Sequence, residues 1–179
     1  VVEARANFVQ VLARKNAVIK DFADYRGRQL RNGKFDFIQA FASFKDAHTL
    51  QLSNGRSLTA ASFVIATGSK LAPCPLPQLA ELNCLDSDRA LSLDRLPKSI
   101  TVLGGGAVAL EFTQFFARMG SRVTLIQRSA HVLHGVDSDA GTAVENAFRR
   151  EGITVYTGTK LGDARRVGED KEIVFAHNG

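Results

Sequence analysis

The chain has 179 residues, of which 45% are hydrophobic and 23% charged, with a formal charge of +5. That is a globular composition and not a disordered one, and no apolar run is long enough to be read as a membrane-spanning helix. Two cysteines are too few to staple a scaffold and fit a reducing cytoplasm.

Residues 1–23 place apolar side chains at steps of three and four (Val1, Ala4, Phe8, Val11, Leu12, Val18, Ile19, Phe22), which predicts a helix. The opening VVEARANFVQ does not have the layout of a secretory signal. A β-rich stretch follows. Phe35, Phe37, Ala40, Ala42 and Phe44 suggest one strand, and residues 48–52 a second. Asn54-Gly55 predicts a hairpin turn, because both residue types accept the positive φ of a tight turn. Residues 57–60 return as a third strand. Residues 62–66 read as a short apolar strand running into Thr67-Gly68. The run Pro73-Cys74-Pro75-Leu76-Pro77 breaks regular structure, since proline fixes φ and removes a donor. A connector is expected from there to about Leu96.

The second half alternates. Residues 99–103 (SITVL) read as a buried strand, 104–106 as a glycine turn, and 107–119 as a helix that Gly120 stops. Residues 122–127 are a second strand, 137–151 a second helix ended by Gly152, and 153–156 a third strand. This β-α-β-α-β order predicts a parallel sheet with helices packed on it, an α/β fold. Two further β segments are expected at 164–167 and 172–176. The closing Asn178-Gly179 resembles a hairpin turn with no return strand, so the chain is expected to be part of a longer one.

The most informative segment is the strand, turn and helix SITVLGGGAVALEF. It contains Gly104-x-Gly106-x-x-Ala109, the dinucleotide fingerprint in its G-x-G-x-x-A form. Gly104 permits a tight turn. Gly106 lets a pyrophosphate approach the backbone, with Gly105, Ala107 and Val108 beside it. Ala109 lets the helix lie close to the strand. The free N–H groups and the positive dipole end of the helix then favour phosphate. The ribose reader belongs at the end of the second strand, about twenty residues on. NAD enzymes place a carboxylate there. This chain has Gln127 and then Arg128, with no charge to repel a 2′-phosphate and a guanidinium to pair with it. The pattern favours NADP(H) over NAD(H). Ser129, His131 and His134 follow and can add donors, although each histidine also suits an ordinary loop.

With GGGAVALEFTQFFARMGSRVTLIQR and the earlier FVIATGS in view, the chain resembles the class I pyridine nucleotide-disulfide oxidoreductases. It is most similar to their mercuric reductase and dihydrolipoyl dehydrogenase branch, with VALE, FARMGSRVTL and AFRREGI leaning toward mercuric reductase. The resemblance covers nearly the whole chain. It implies part of an FAD-binding domain over residues 1–92 (helix, β-meander, Ala-Thr-Gly strand, connector). It also implies a Rossmann-like NAD(P)-binding unit, three-layered around a parallel sheet, over 93–179 and truncated at its C-terminus. The backbone of Ala66, Thr67 and Gly68 is then expected against the flavin nucleotide, with adenine contacts near Phe41 and Ala42. Ser87 is a weaker match near the FAD ribose. Glu111 faces the flavin region in such proteins; locally it also reads as a first-turn carboxylate favoured by the helix dipole.

The departures from the family pattern are informative. The redox pair C-x4-C is not in this sequence; Cys74 and Cys84 lie ten apart beside prolines and read as incidental thiols. Ala107 stands where many members have a tyrosine gating the nicotinamide pocket. The resemblance therefore implies a fragment of a flavoenzyme. NADPH would reduce FAD, and electrons would pass through a cysteine pair to mercuric ion or a disulfide. The remainder of the parent chain would be its main partner, the parent would be a homodimer, and no metal site is expected here. An NADH-linked dihydrolipoyl dehydrogenase-like parent is the alternative. A free-standing NADP sensor is another, disfavoured by the apparent incompleteness. Nucleic-acid binding is disfavoured too: Arg149-Arg150 and Arg165-Arg166 are only pairs, with no interleaved aromatics.

Overall fold

The computed structural model describes residues 6–72, 74 and 76–178. Val1 and Ala4 of the first helical pattern, Pro73 and Pro75 of the proline run, and Gly179 lie outside the described residues. In chain order the elements are α1 (Phe8–Leu30), β1 (Ala42–Asp46), β2 (Thr49–Leu52), β3 (Ser57–Thr59), α2 (Pro77–Glu81), α3 (Ser87–Ala90), β4 (Ser99–Leu103), α4 (Ala107–Met119), β5 (Arg122–Ile126), α5 (Ser138–Arg150), β6 (Thr154–Tyr156), β7 (Thr159–Val167) and β8 (Asp170–His177). They divide into two compact units. One comprises Asn16–Ala72, the other the described residues of Val1–Lys15 and Pro73–Gly179.

Helix α1 starts where Asn7 caps it, its Oδ1 accepting from the Gln10 N–H at 3.1 Å. It runs a further seven residues beyond the apolar pattern. The extension is polar and held by local side-chain pairs, with Lys20 on Asp24 and Gln29 on Tyr25. In the unit Asn16–Ala72, β1, β2 and β3 form an antiparallel meander in sequence order. The hairpin turn at Asn54-Gly55 forms as expected, with Gly55 at φ 85°. Two sequence expectations fail here. Residues 35–40 are irregular, and the Ala-Thr-Gly strand over 62–66 is not formed. A strand exists only against a partner ladder, and no described residue pairs with this segment. Val64 is 95% and Phe41 88% exposed, so apolar surface stays open in this unit.

In the second unit the proline-rich connector contains two short helices. Pro77 occupies the start of α2, where its missing N–H costs nothing. Asp86 caps α3, accepting from the Arg89 N–H at 2.8 Å. The parallel sheet has the order β4-β5-β6. Ser99 pairs with Arg122 and Leu103 with Ile126, in register along the strands. Helix α4 packs on β4 and β5, and α5 on β6. Both helices end as the glycines predict, with Gly120 at φ 107° and Gly152 at φ 80°. The Ser121 and Ile153 amides close the two ends onto Phe116 O and Phe148 O. The core joins Phe116, Val123, Leu125, Val132, Phe148 and Ile153, with the Phe8 ring from the start of α1 packed at a tilt against Phe115 and Phe116. Strands β7 and β8 form an antiparallel hairpin longer than expected, turning at Gly168.

Candidate functional site: the glycine turn

The site is assembled where β4 hands over to α4. The Gly104 N–H donates to Ile126 O at 2.9 Å, extending the β4–β5 ladder one residue beyond the strand. Gly104 then turns the chain at φ 115°, a conformation that side chains other than glycine rarely adopt. Gly105 is buried. A Cβ there would stand 3.0 Å from Gln127 Cδ and 3.2 Å from Val132 Cα. Gly106 is different. It precedes α4 at φ −79° and ψ 171°, offers no side-chain cap, and is exposed. A Cβ built on it meets no described atom within 4 Å. The three glycines therefore serve distinct needs: conformation, close packing and open backbone. An uncapped helix start with open backbone in front of it fits an anionic group.

Behind the turn, Ala107 and Val108 are exposed and Ala109 is half-buried. Glu111 is exposed and lies beyond the first turn of α4, which holds no acidic residue. The dipole explanation for Glu111 therefore does not apply. Gln127 and Arg128 part company. Gln127 is buried, 6% exposed, beneath Gly105, and its Nε2 donates to His131 O at 3.4 Å. Its carbonyl accepts from the Thr159 N–H and from Thr159 Oγ1. Arg128 points into solvent and pairs with no carboxylate among the described residues. Ser129 is half-buried, its carbonyl taking the Gly158 N–H, while His134 is exposed. In the other unit Phe41 and Ala42 lie at the start of β1, and the Phe41 N–H donates to Ser53 Oγ. Ala66, Thr67 and Gly68 are exposed, with Gly68 at φ 75°. Cys74 is exposed and Cys84 half-buried, both as free thiols. Among the described residues no cluster suits a metal ion and no helix is long and apolar enough to cross a membrane.

The segment after β5 contains residues that the sequence pattern did not single out. Leu133 adopts φ 53° and donates its N–H to Gly105 O at 2.7 Å. Glu145 of α5 is 5% exposed and accepts from the Val132 N–H at 3.1 Å. A glutamate on a helix reads as solvent-facing, so nothing marked it. Gly141, alone inside a helical pattern, carries a usable signal for close packing. The resolved shifts in acidity lie elsewhere. Hydrogen bonding to Arg118 holds the Glu151 carboxyl below its ordinary value, and Gln114 adds to this. The same contact pushes the Arg118 guanidinium up.

Comparison with known proteins agrees with this architecture. The family model described as pyridine nucleotide-disulphide oxidoreductase matches residues 3–179. The mercuric reductase of Staphylococcus aureus is 34% identical over 145 residues, which are 81% of this chain and 26% of that protein. The dihydrolipoyl dehydrogenase of Thermus scotoductus is 36% identical over 147 residues, 82% of this chain and 32% of that protein. Among solved structures, the HOCl-induced flavoprotein disulfide reductase RclA from Escherichia coli superposes with a TM-score of 0.87 at 23% identity, covering 97% of this chain and 41% of that one. The chain thus spans about a quarter to a third of the length of these curated relatives. A matching family model along nearly the full chain, on a parallel sheet with the glycine turn at the start of α4, places the chain in the pyridine nucleotide-disulphide oxidoreductase family.

Proposed function

We propose that this chain is the nucleotide-binding segment of a mercuric reductase-like flavoenzyme and that its glycine turn holds the pyrophosphate of NADPH. The open backbone at Gly106, before the uncapped start of α4, carries the reading. NADPH supplies a hydride and FAD accepts it in the parent enzyme. The residues of this chain bind and orient. Gly104 and Gly105 shape the turn, the amides of Gly106, Ala107 and Val108 face the phosphates, and Ala109 keeps α4 close to the sheet. Arg128 pairs with the 2′-phosphate, helped by Ser129 and His134. Gln127, turned inward, brings no charge to oppose it. Glu111 supports the flavin side, and the backbone at Phe41, Ala42, Ala66, Thr67 and Gly68 holds FAD. Residues 1–92 make up the FAD-binding part and 93–179 the NAD(P)-binding part. The parent is a cytoplasmic homodimer.

The test is a titration of NADPH and NADH against the chain and against Arg128→Ala. The expected loss for NADPH is about 1.5–3 kcal/mol, tenfold or more, with little change for NADH. Equal affinities in the unaltered chain refute the NADPH assignment. The comparable identity to dihydrolipoyl dehydrogenase supports a second reading, an NADH-linked parent, for which NADH binds more tightly. No C-x4-C pair occurs in these 179 residues, so the isolated chain is expected not to reduce mercuric ion or lipoamide. Appreciable NADPH-dependent turnover by the purified chain overturns that expectation.

A further inference from the structure

We propose that Glu145 is a positioning residue for coenzyme discrimination: its carboxylate fixes the segment after β5 against the glycine turn. The inference rests on the coenzyme reading above. A carboxylate that is 5% exposed is costly unless its oxygens are satisfied. Here Oε1 accepts the Val132 N–H at 3.1 Å and lies 3.4 Å from His131 Nδ1, while Oε2 faces Arg149 Nη1 at 3.4 Å. The next amide along, Leu133 N–H, donates to Gly105 O at 2.7 Å. Two successive amides are thus tied in different directions, one to α5 and one to the glycine turn.

Leu133 pays for this arrangement with φ 53°, a conformation that persists in a leucine only where the surroundings over-determine it. Helix α5 also presses the segment directly. A Cβ at Gly141 would lie 2.5 Å from Val132 O. Arg128 and Ser129 enter this pinned segment and His134 leaves it. Releasing the Val132 amide frees the backbone on which the 2′-phosphate reader is mounted. Glu145 touches no coenzyme in this scheme and acts through Val132.

The experiment measures NADPH and NADH affinities of the full chain by fluorescence titration, with amide exchange at Val132 and Leu133. In Glu145→Ala, NADPH affinity is expected to fall about tenfold, the NADPH-to-NADH preference to shrink at least about threefold, and both amides to lose protection. Glu145→Gln keeps an oxygen acceptor and is expected to restore the preference to within about twofold. Loss of stability alone does not change a ratio of two affinities. Gly141→Ala pushes Val132 from the same helix without touching the carboxylate, and is expected to shift the preference the same way even if Glu145→Ala does not fold. An unchanged preference in folded Glu145→Ala or in Gly141→Ala overturns the proposal while leaving the coenzyme reading intact. Absence of binding of either coenzyme to the unaltered chain overturns the site reading and this inference together.

Discussion

Replacing Gly106 by alanine separates a ligand-binding glycine from a structural one. The residue has φ −79° and ψ 171°, which alanine adopts without strain, and a Cβ there meets no described atom within 4 Å. Alanine reduces the entropy of the unfolded chain, worth about 0.4–1 kcal/mol in favour of folding. It is a poorer helix cap than glycine by a comparable amount, roughly 0.5–1 kcal/mol. The two terms nearly cancel, so the melting temperature moves by no more than about 4 °C. Coenzyme binding is a different matter. A methyl group in the open space forces a pyrophosphate away from the first amides of α4. Losing one hydrogen bond to a charged group costs about 1.5–3 kcal/mol, or roughly tenfold to a hundredfold in Kd. Thermal denaturation and NADPH titration on the same preparation give both numbers. An unchanged Kd in a variant of unchanged stability refutes the placement of the pyrophosphate at Gly106. A loss of several kcal/mol in stability refutes the claim that the space in front of it is open.

The neighbouring glycine is expected to behave otherwise. Gly104→Ala forces φ 115° on a residue with a Cβ and costs about 1–3 kcal/mol by urea denaturation, with or without coenzyme. Phe116→Ala removes a fully buried ring packed on Phe8, Phe112 and Phe115, and is expected to cost about 3–5 kcal/mol in the same assay; a loss below about 1 kcal/mol shows that the site collapses or that the aromatic cluster is not the core. Glu151 clasps α4 from the end of α5, its carboxylate receiving Arg118 Nη2 at 2.8 Å and Gln114 Nε2 at 3.0 Å. The hydrogen bond from Arg118 holds its folded-state pKa below the ordinary value of 4.5, so its stabilisation is present above that pH and is lost as pH falls through the depressed value. The difference in melting temperature between the unaltered chain and Glu151→Gln is expected to be constant near neutral pH and to vanish in acid. A difference that grows in acid contradicts the pairing.

Local chemistry made much of the second unit legible in the sequence. Gly104, Gly120 and Gly152 stand where a positive φ is needed, and each ends or turns an element at the expected residue. The strand at 99–103 and the helix at 107–119 matched in extent to the residue, because an apolar strand and a glycine-bounded amphipathic helix each carry their signal within a few neighbours. The expected burial of that strand did not follow: β4 is the outer strand in the order β4-β5-β6, and its residues are exposed or half-buried. The dinucleotide fingerprint is such a local signal, which is why Gly104, Gly106 and Ala109 could be named from spacing alone.

What depends on partners distant in the chain was not legible. The apolar segment 62–66 has strand composition but no ladder among the described residues, and pattern alone cannot supply one. Gln127 and Arg128 are adjacent in sequence and read as a pair. Only the packing of the Gln127 side chain against Gly105, with its Nε2 donating to His131 O, turned one inward and left the other in solvent. Glu145 looked like any surface glutamate until α5 was laid against the segment after β5, where its oxygen meets the amide of a residue thirteen positions earlier. The sequence by itself determined the elements and the glycine turn, since conformational preference is a property of each residue and its near neighbours. The tertiary structure decided which polar side chains are buried and which remain free for a ligand, since burial is set by surfaces that meet only when the chain is folded.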